Sequence, residues 1–360
     1  MKKLLILYIL LIGYINGSYP HPVFGENGMV VSTSRQASIA GIEILKKGGN
    51  AIDAACATGF VLAVTSSSNG NIGGGGFMVV HKENSKIFTL DYREIAPAAA
   101  HRDMFLDSNG EVIDNMSLRT RAASGVPGSV DGLLKAWKDH GSGNISRREL
   151  LASAIALAER GFELTHYEAK RFNNNKDLFF NNDAATKIFI RGDRKPWKAG
   201  DRFIQKDLAR TLKRIAREGR DGFYSGKTAD LIIAEMNRGI GLITHEDLLN
   251  YESKYREPMI GSFKEYEIIS MGLPSSGGTI LIEMLNMLEN FSLSELGWNS
   301  SEYIHLLTEV ERRAYADRAE HLGDADFWTP PLSMLTSKKY AIDRMNDFYA
   351  DKATSSTVVF

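Results

Sequence analysis

The chain has 360 residues, with 43 Lys plus Arg against 44 Asp plus Glu. That length can bury a substantial core, as one large domain or two small ones. The near-zero net charge removes any general electrostatic pull toward nucleic acid or anionic lipid. Cys56 is the single cysteine, so an intrachain disulfide and a thiolate metal cluster are excluded.

Taken in chain order, residues 1–18 read as a secretory signal peptide. Lys2-Lys3 precede the apolar run Leu4 to Ile12, and small residues follow up to Ser18. The run is too short to span a bilayer comfortably, although an uncleaved anchor is the alternative. Residues 19–360 are then the mature region, expected to be secreted, periplasmic or extracellular and free of membrane spans. Gly28–Ser32 reads as a strand, followed by a helix from the cap Ser34 to Lys47. Gly48-Gly49-Asn50 stops that helix, and a small, apolar helix runs from Ala51 to about Thr65. Cys56 lies inside it and reads as a buried structural thiol.

Next come four glycines, Gly73 to Gly76, and a β-hairpin whose two apolar runs flank a short polar link. Its second strand, Ile87 to Asp91, ends just before Arg93. The glycines let backbone approach closely and leave amides available to an anion. A fork-shaped guanidinium at that strand end suits a carboxylate ligand. An ordinary ion pair with Asp91 or Glu94 is the competing reading.

Further helices are expected over 130–139, from a Ser146–Glu149 capping box onward, over 206–217 and over 227–238. Residues 172–202 read as polar surface loops. A short helix starts at Thr244, a strand or hairpin pair covers 258–271, and Pro274 to Gly278 opens a helix to Leu288. Residues 301–321 form an amphipathic helix, and a last helix covers 337–349. The class is layered α/β.

Several tempting motifs fail. Gly226-Lys227-Thr228 lacks a glycine at position 221, which is Asp, so it is no phosphate-binding loop. Gly73 to Gly76 is followed by a strand and is no dinucleotide fingerprint. His245-Glu246 lacks the second histidine of a zinc protease. The histidines have no ligand spacing, so no metal and no cofactor is expected. Ser275 and Ser276 form either an elbow-like turn or a helix cap, and the cap reading leads.

Six blocks in order then carry a resemblance. They are Lys46 to Ala55, Gly73 to Met78, Asp91 to Pro97, Gly125 to Gly128, Pro274 to Gly278 and Arg313 to Glu320. Together they resemble the gamma-glutamyltransferase (gamma-glutamyltranspeptidase, glutathione hydrolase) family over about residues 27–350. The resemblance implies an N-terminal-nucleophile hydrolase fold, an αββα sandwich, made by a precursor that cuts itself into a large and a small subunit. It implies that the small subunit's N-terminal threonine attacks the γ-glutamyl amide of glutathione or related compounds. Its own α-amine would act as base, and water, an amino acid or a peptide would take the acyl group. Arg93 matches the arginine that grips the substrate α-carboxylate.

The sequence departs from that pattern at Thr354 to Phe360. The expected small subunit and its nucleophilic threonine are missing, and Thr357 has only three residues after it. The expectation is a large-subunit portion without activity of its own. A secreted, non-catalytic glutamate-binding protein and a related N-terminal-nucleophile acylase are the alternatives.

Overall fold

The structure, a computed structural model, describes residues 22–83 and 86–359. The expected signal peptide lies outside them. Arg35–Lys46 is the first helix among the described residues, with Ser34 at its N-cap position. Gly48 then takes a left-handed φ of 86°, open to glycine at no steric cost. Asn50 starts the buried helix Ala51–Thr65 with a reciprocal capping box. Its Oδ1 accepts from Asp53 N (3.0 Å), while Asp53 Oδ2 accepts from Asn50 N (2.9 Å). The same Asp53 oxygen also accepts from Ser142 N (2.9 Å), and Asn50 Nδ2 donates to His140 O (2.8 Å). The Gly-Gly-Asn block therefore docks this helix on the end of a second one, Ser129–His140. Cys56 is fully buried between them, and burial pushes its thiol far above the usual range, as suits an inert structural residue.

The hairpin pairs Phe77–His81 with Ile87–Asp91, in register Phe77 to Asp91. A third antiparallel strand, Lys254–Arg256, joins its inner edge and sets Asp91 opposite Lys254. Met259–Phe263 and Tyr266–Ser270 form a separate hairpin. The helices Gly277–Leu288 and Ser301–His321 pack a second, smaller core around Met287, Leu306 and Val310. None of the described helices is long and apolar enough to cross a membrane.

Three expectations are corrected. Gly28–Ser32 forms no strand: no described strand lies beside it, and an extended run without a ladder partner stays irregular, leaving Val31 exposed. Residues 172–202 are not plain loops. Three short helices, His166–Asn174, Lys176–Phe180 and Asp183–Phe189, fold around an aromatic cluster. Phe172 sits 5.0–6.4 Å from the rings of Phe179, Phe189, Trp197 and Phe203. Burial of dispersed aromatics, which follows no helical period, orders this segment. The helix expected over 337–349 stops at Arg344, because Arg313 Nε takes the Arg344 carbonyl (2.8 Å) that a continuing helix would need, and a last short helix follows at Ser356–Val359.

Arg313 is fully buried and is the hub of the smaller core. It binds Glu309 Oε2 (2.6 Å), Asp347 Oδ1 (2.5 Å) and Thr354 Oγ1 (3.1 Å). Arg312 holds Thr354 O (2.9 Å) and Ser356 Oγ (3.0 Å). Arg344 donates to Asp317 Oδ2 (3.0 Å). Asp317 in turn hydrogen-bonds Glu283, whose carboxyl burial and that contact push up to about 10. The folded state thus keeps a proton on Glu283 that the unfolded chain releases near the ordinary value of 4.5. Its stabilising contribution is full below that pH and declines as pH rises toward 10. Glu283→Gln, which keeps an N–H donor, should therefore gain on the unaltered chain between about pH 5.5 and about pH 8.5. Urea midpoints at the two pH values check this, and parallel pH profiles for the two proteins would refute it.

Candidate functional site

Arg93 follows the strand Ile87–Asp91 in a loop that is clamped from three sides. Ladder bonds continue past the hairpin, with Gly76 N donating to Tyr92 O (3.2 Å) and Tyr92 N to Gly76 O (3.0 Å). Ile95 exchanges two backbone bonds with Val126, and Ala98 N donates to Asp247 Oδ1 (2.8 Å). Tyr251 OH donates to Arg93 O (2.9 Å). Burial raises the Tyr251 pKa far above the usual range, and the nearby Asp131 charge adds to it, so the hydroxyl stays a donor. Asp131 holds the following segment through Ser253 N (2.9 Å) and Ser253 Oγ (2.6 Å).

Glycines make these approaches sterically feasible. A Cβ on Gly75 would lie 2.5 Å from Tyr92 O and 2.8 Å from Arg93 Cα. One on Gly128 would collide with Tyr92 O and the Tyr251 hydroxyl, and one on Gly132 with the Tyr92 ring. Gly74 O accepts from both Gly128 N (2.8 Å) and Ser129 N (2.9 Å), which joins the glycine run to the Gly125–Gly128 block. This modifies one expectation. The Gly76 amide is engaged, and none of the four glycines lines the cleft at Arg93. The run positions the arginine loop by close packing.

The guanidinium itself lies 6.0 Å from the Phe77 ring centroid, beside the end of the glycine run. It has no hydrogen bond or ion pair among the described residues. The competing ion-pair reading does not hold, for a specific reason. Asp91 spends Oδ1 on the Arg93 amide (3.0 Å) and Oδ2 on Arg256 Nε (3.1 Å). Arg256 also grips Asp326 with both terminal nitrogens (2.5 and 3.0 Å). That contact holds the Asp326 carboxyl far below the usual range. Arg93 opens into a cleft of about 630 Å³ between the Tyr251–Arg256 segment and the C-terminal end of the Ser301–His321 helix.

Ser276 takes the N-cap position of the Gly277–Leu288 helix but its side chain makes no cap bond, so the cap reading holds for its place and not for its hydroxyl. Ser275 Oγ accepts from Gly277 N (3.3 Å) and Ser276 Oγ from Arg318 Nε (3.0 Å). Neither has a base beside it. His245 contacts Asp230 at the surface (3.1 Å). Sequence reasoning missed Tyr251, Arg256 and Arg318. Only Arg318 carried a signal, as part of the Arg313–Glu320 block.

The structure is similar to that of gamma-glutamyltranspeptidase from Helicobacter pylori, with a TM-score of 0.90 and 42% identity over 94% of this chain and 96% of that one. This fold is that of the N-terminal-nucleophile hydrolases. A family profile described as Gamma-glutamyltranspeptidase matches residues 37–358. The chain is 45% identical over 322 residues to a glutathione hydrolase proenzyme of Pseudomonas aeruginosa, covering 89% of this chain and 56% of that protein. It is 36% identical over 342 residues to an Acylase ACY 1 proenzyme of a Pseudomonas species, covering 93% of this chain and 61% of that protein. The chain belongs to the gamma-glutamyltranspeptidase family. It spans 55–58% of the length of the first glutathione hydrolase relatives it matches.

The close packing predicts that Gly128→Ala destabilises the chain by about 1–3 kcal/mol through overpacking. Gly192→Ala, with open space around the added methyl, should change little. Urea denaturation of both variants tests this, and equal midpoints would remove the packing argument.

Proposed function

We propose that this chain supplies the γ-glutamyl-binding part of a gamma-glutamyltransferase or glutathione hydrolase, with Arg93 holding the substrate α-carboxylate. The observation that carries the reading is the open guanidinium on a clamped loop. A bidentate carboxylate would neutralise it with two charge-assisted bonds. An acyl group without that carboxylate, as in a general amide acylase, would leave Arg93 unmatched. The family's proenzyme relatives support a second subunit as partner, and water, an amino acid or a peptide is the proposed acceptor. No hydroxyl or thiol lining the cleft has a base next to it, so the attacking group is expected from outside these side chains.

Calorimetric titration of the full chain with L-glutamate tests the reading. Arg93→Ala should weaken binding roughly tenfold to a hundredfold, about 1.4–2.7 kcal/mol, and Arg93→Lys should recover only part of it. Glutamate affinity that ignores both substitutions would refute the assignment. The chain alone should give no turnover of a γ-glutamyl anilide, and measurable release of the aniline would contradict that part.

We also read the mature protein as secreted, on the strength of the basic start and apolar run of residues 1–18. N-terminal sequencing of the exported protein should begin at or beyond Ser18, and an intact Met1 would count against it.

A further inference from the structure

Four cations and five carboxylates line the cleft at Arg93. Two of the cations are already neutralised. Lys254 Nζ contacts Asp326 (2.7 Å), and Arg256 is shared between Asp326 and Asp91. Arg93 and Arg318 are not neutralised. Arg318 donates Nε–H to Ser276 Oγ (3.0 Å), and its two terminal nitrogens have no partner among the described residues. Among the carboxylates, Glu94 and Glu252 likewise have no hydrogen bond or ion pair among the described residues. The unsatisfied complement is thus two guanidiniums and two carboxylates lining one cleft.

A simple dianion does not fit that complement, since the lining carboxylates outnumber the cations. A single amino acid would leave one guanidinium unused. A ligand with two carboxylates and one ammonium matches it, and a γ-glutamyl peptide with a free C-terminus is such a ligand. We propose that Arg318 is a second carboxylate anchor, which takes the C-terminal carboxylate of a γ-glutamyl peptide while Arg93 holds the glutamyl α-carboxylate. The proposal rests on the reading of Arg93 given above. It narrows the substrate class to γ-glutamyl peptides with a free terminal carboxylate, over γ-glutamyl amines and peptide amides.

The side chain suits the role. Arg318 stands in the last turn of the Ser301–His321 helix, a rigid support. The Ser276 hydroxyl fixes Nε and so orients the fork before a ligand arrives, which limits the ordering cost. Ser276 is in this sense a positioning residue, held at the entrance of the Gly277–Leu288 helix.

Calorimetric titration of the full chain with three ligands decides the question: L-glutamate, glutathione, and glutathione with its terminal carboxylate converted to an amide. On the unaltered chain the amide should bind about tenfold more weakly than glutathione, about 1.4 kcal/mol. Arg318→Gln should lower glutathione affinity by a similar factor and leave glutamate and the amide unchanged. Equal affinity of glutathione and its amide for the unaltered chain would overturn the proposal without recourse to any variant. Equal weakening of all three ligands by Arg318→Gln would overturn it too. Failure of the underlying reading looks different, because glutamate binding would then be indifferent to Arg93→Ala. Glutamate binding that needs Arg93, alongside glutathione binding that ignores Arg318, would remove the Arg318 proposal alone.

Discussion

The site depends on how the Asp91 carboxylate is used. This buried group sits two residues from Arg93, close enough to neutralise it. It instead accepts the Arg93 backbone amide on one oxygen and Arg256 on the other. Arg256 is fixed in turn by Asp326 and by its place on the strand paired with Ile87–Asp91. With Asp91 engaged, the Arg93 guanidinium remains available, and a charged ligand meets no ion pair of Arg93 among the described residues that it must displace. A like arginine beside a free aspartate would be an ordinary ion pair worth little at the surface.

Availability alone would leave a mobile side chain. The loop carrying Arg93 is held by backbone bonds to Gly76 and Val126 and by the Tyr251 hydroxyl. Those bonds form because Gly75, Gly128 and Gly132 have no Cβ where Tyr92, Arg93 and Tyr251 pass. Burial pushes the Tyr92 phenol up to about 12. Close packing of backbone on backbone converts a loop position into a rigid one, as a recognition site requires.

The Ser301–His321 helix serves two environments at once. Arg313 points into the smaller core, where five acceptors satisfy its guanidinium, and Arg318 reaches the cleft. Five residues separate them, which turns the helix by about 140° and puts them on nearly opposite faces. One arginine-rich block therefore locks the segment after Arg344 to the core and also reaches the cleft. Removing a buried charge from such a network leaves others unpaired, so the inner face tolerates little change.

Much of this was legible in the residues. The capping box at Ser146, the hairpin with Arg93 after its second strand, the helix 301–321 and the inert Cys56 follow from local rules of period, cap and turn, which act over a few residues. The ordered blocks also identified the family. Three things were decided by tertiary structure, because each depends on partners distant in sequence. The aromatic cluster of residues 172–203 orders a stretch that reads as polar. The strand expected at Gly28–Ser32 finds no neighbour among the described residues. Above all, whether Asp91 would close Arg93 in an ion pair was decided by Arg256, 163 residues away, which takes the second oxygen of that carboxylate.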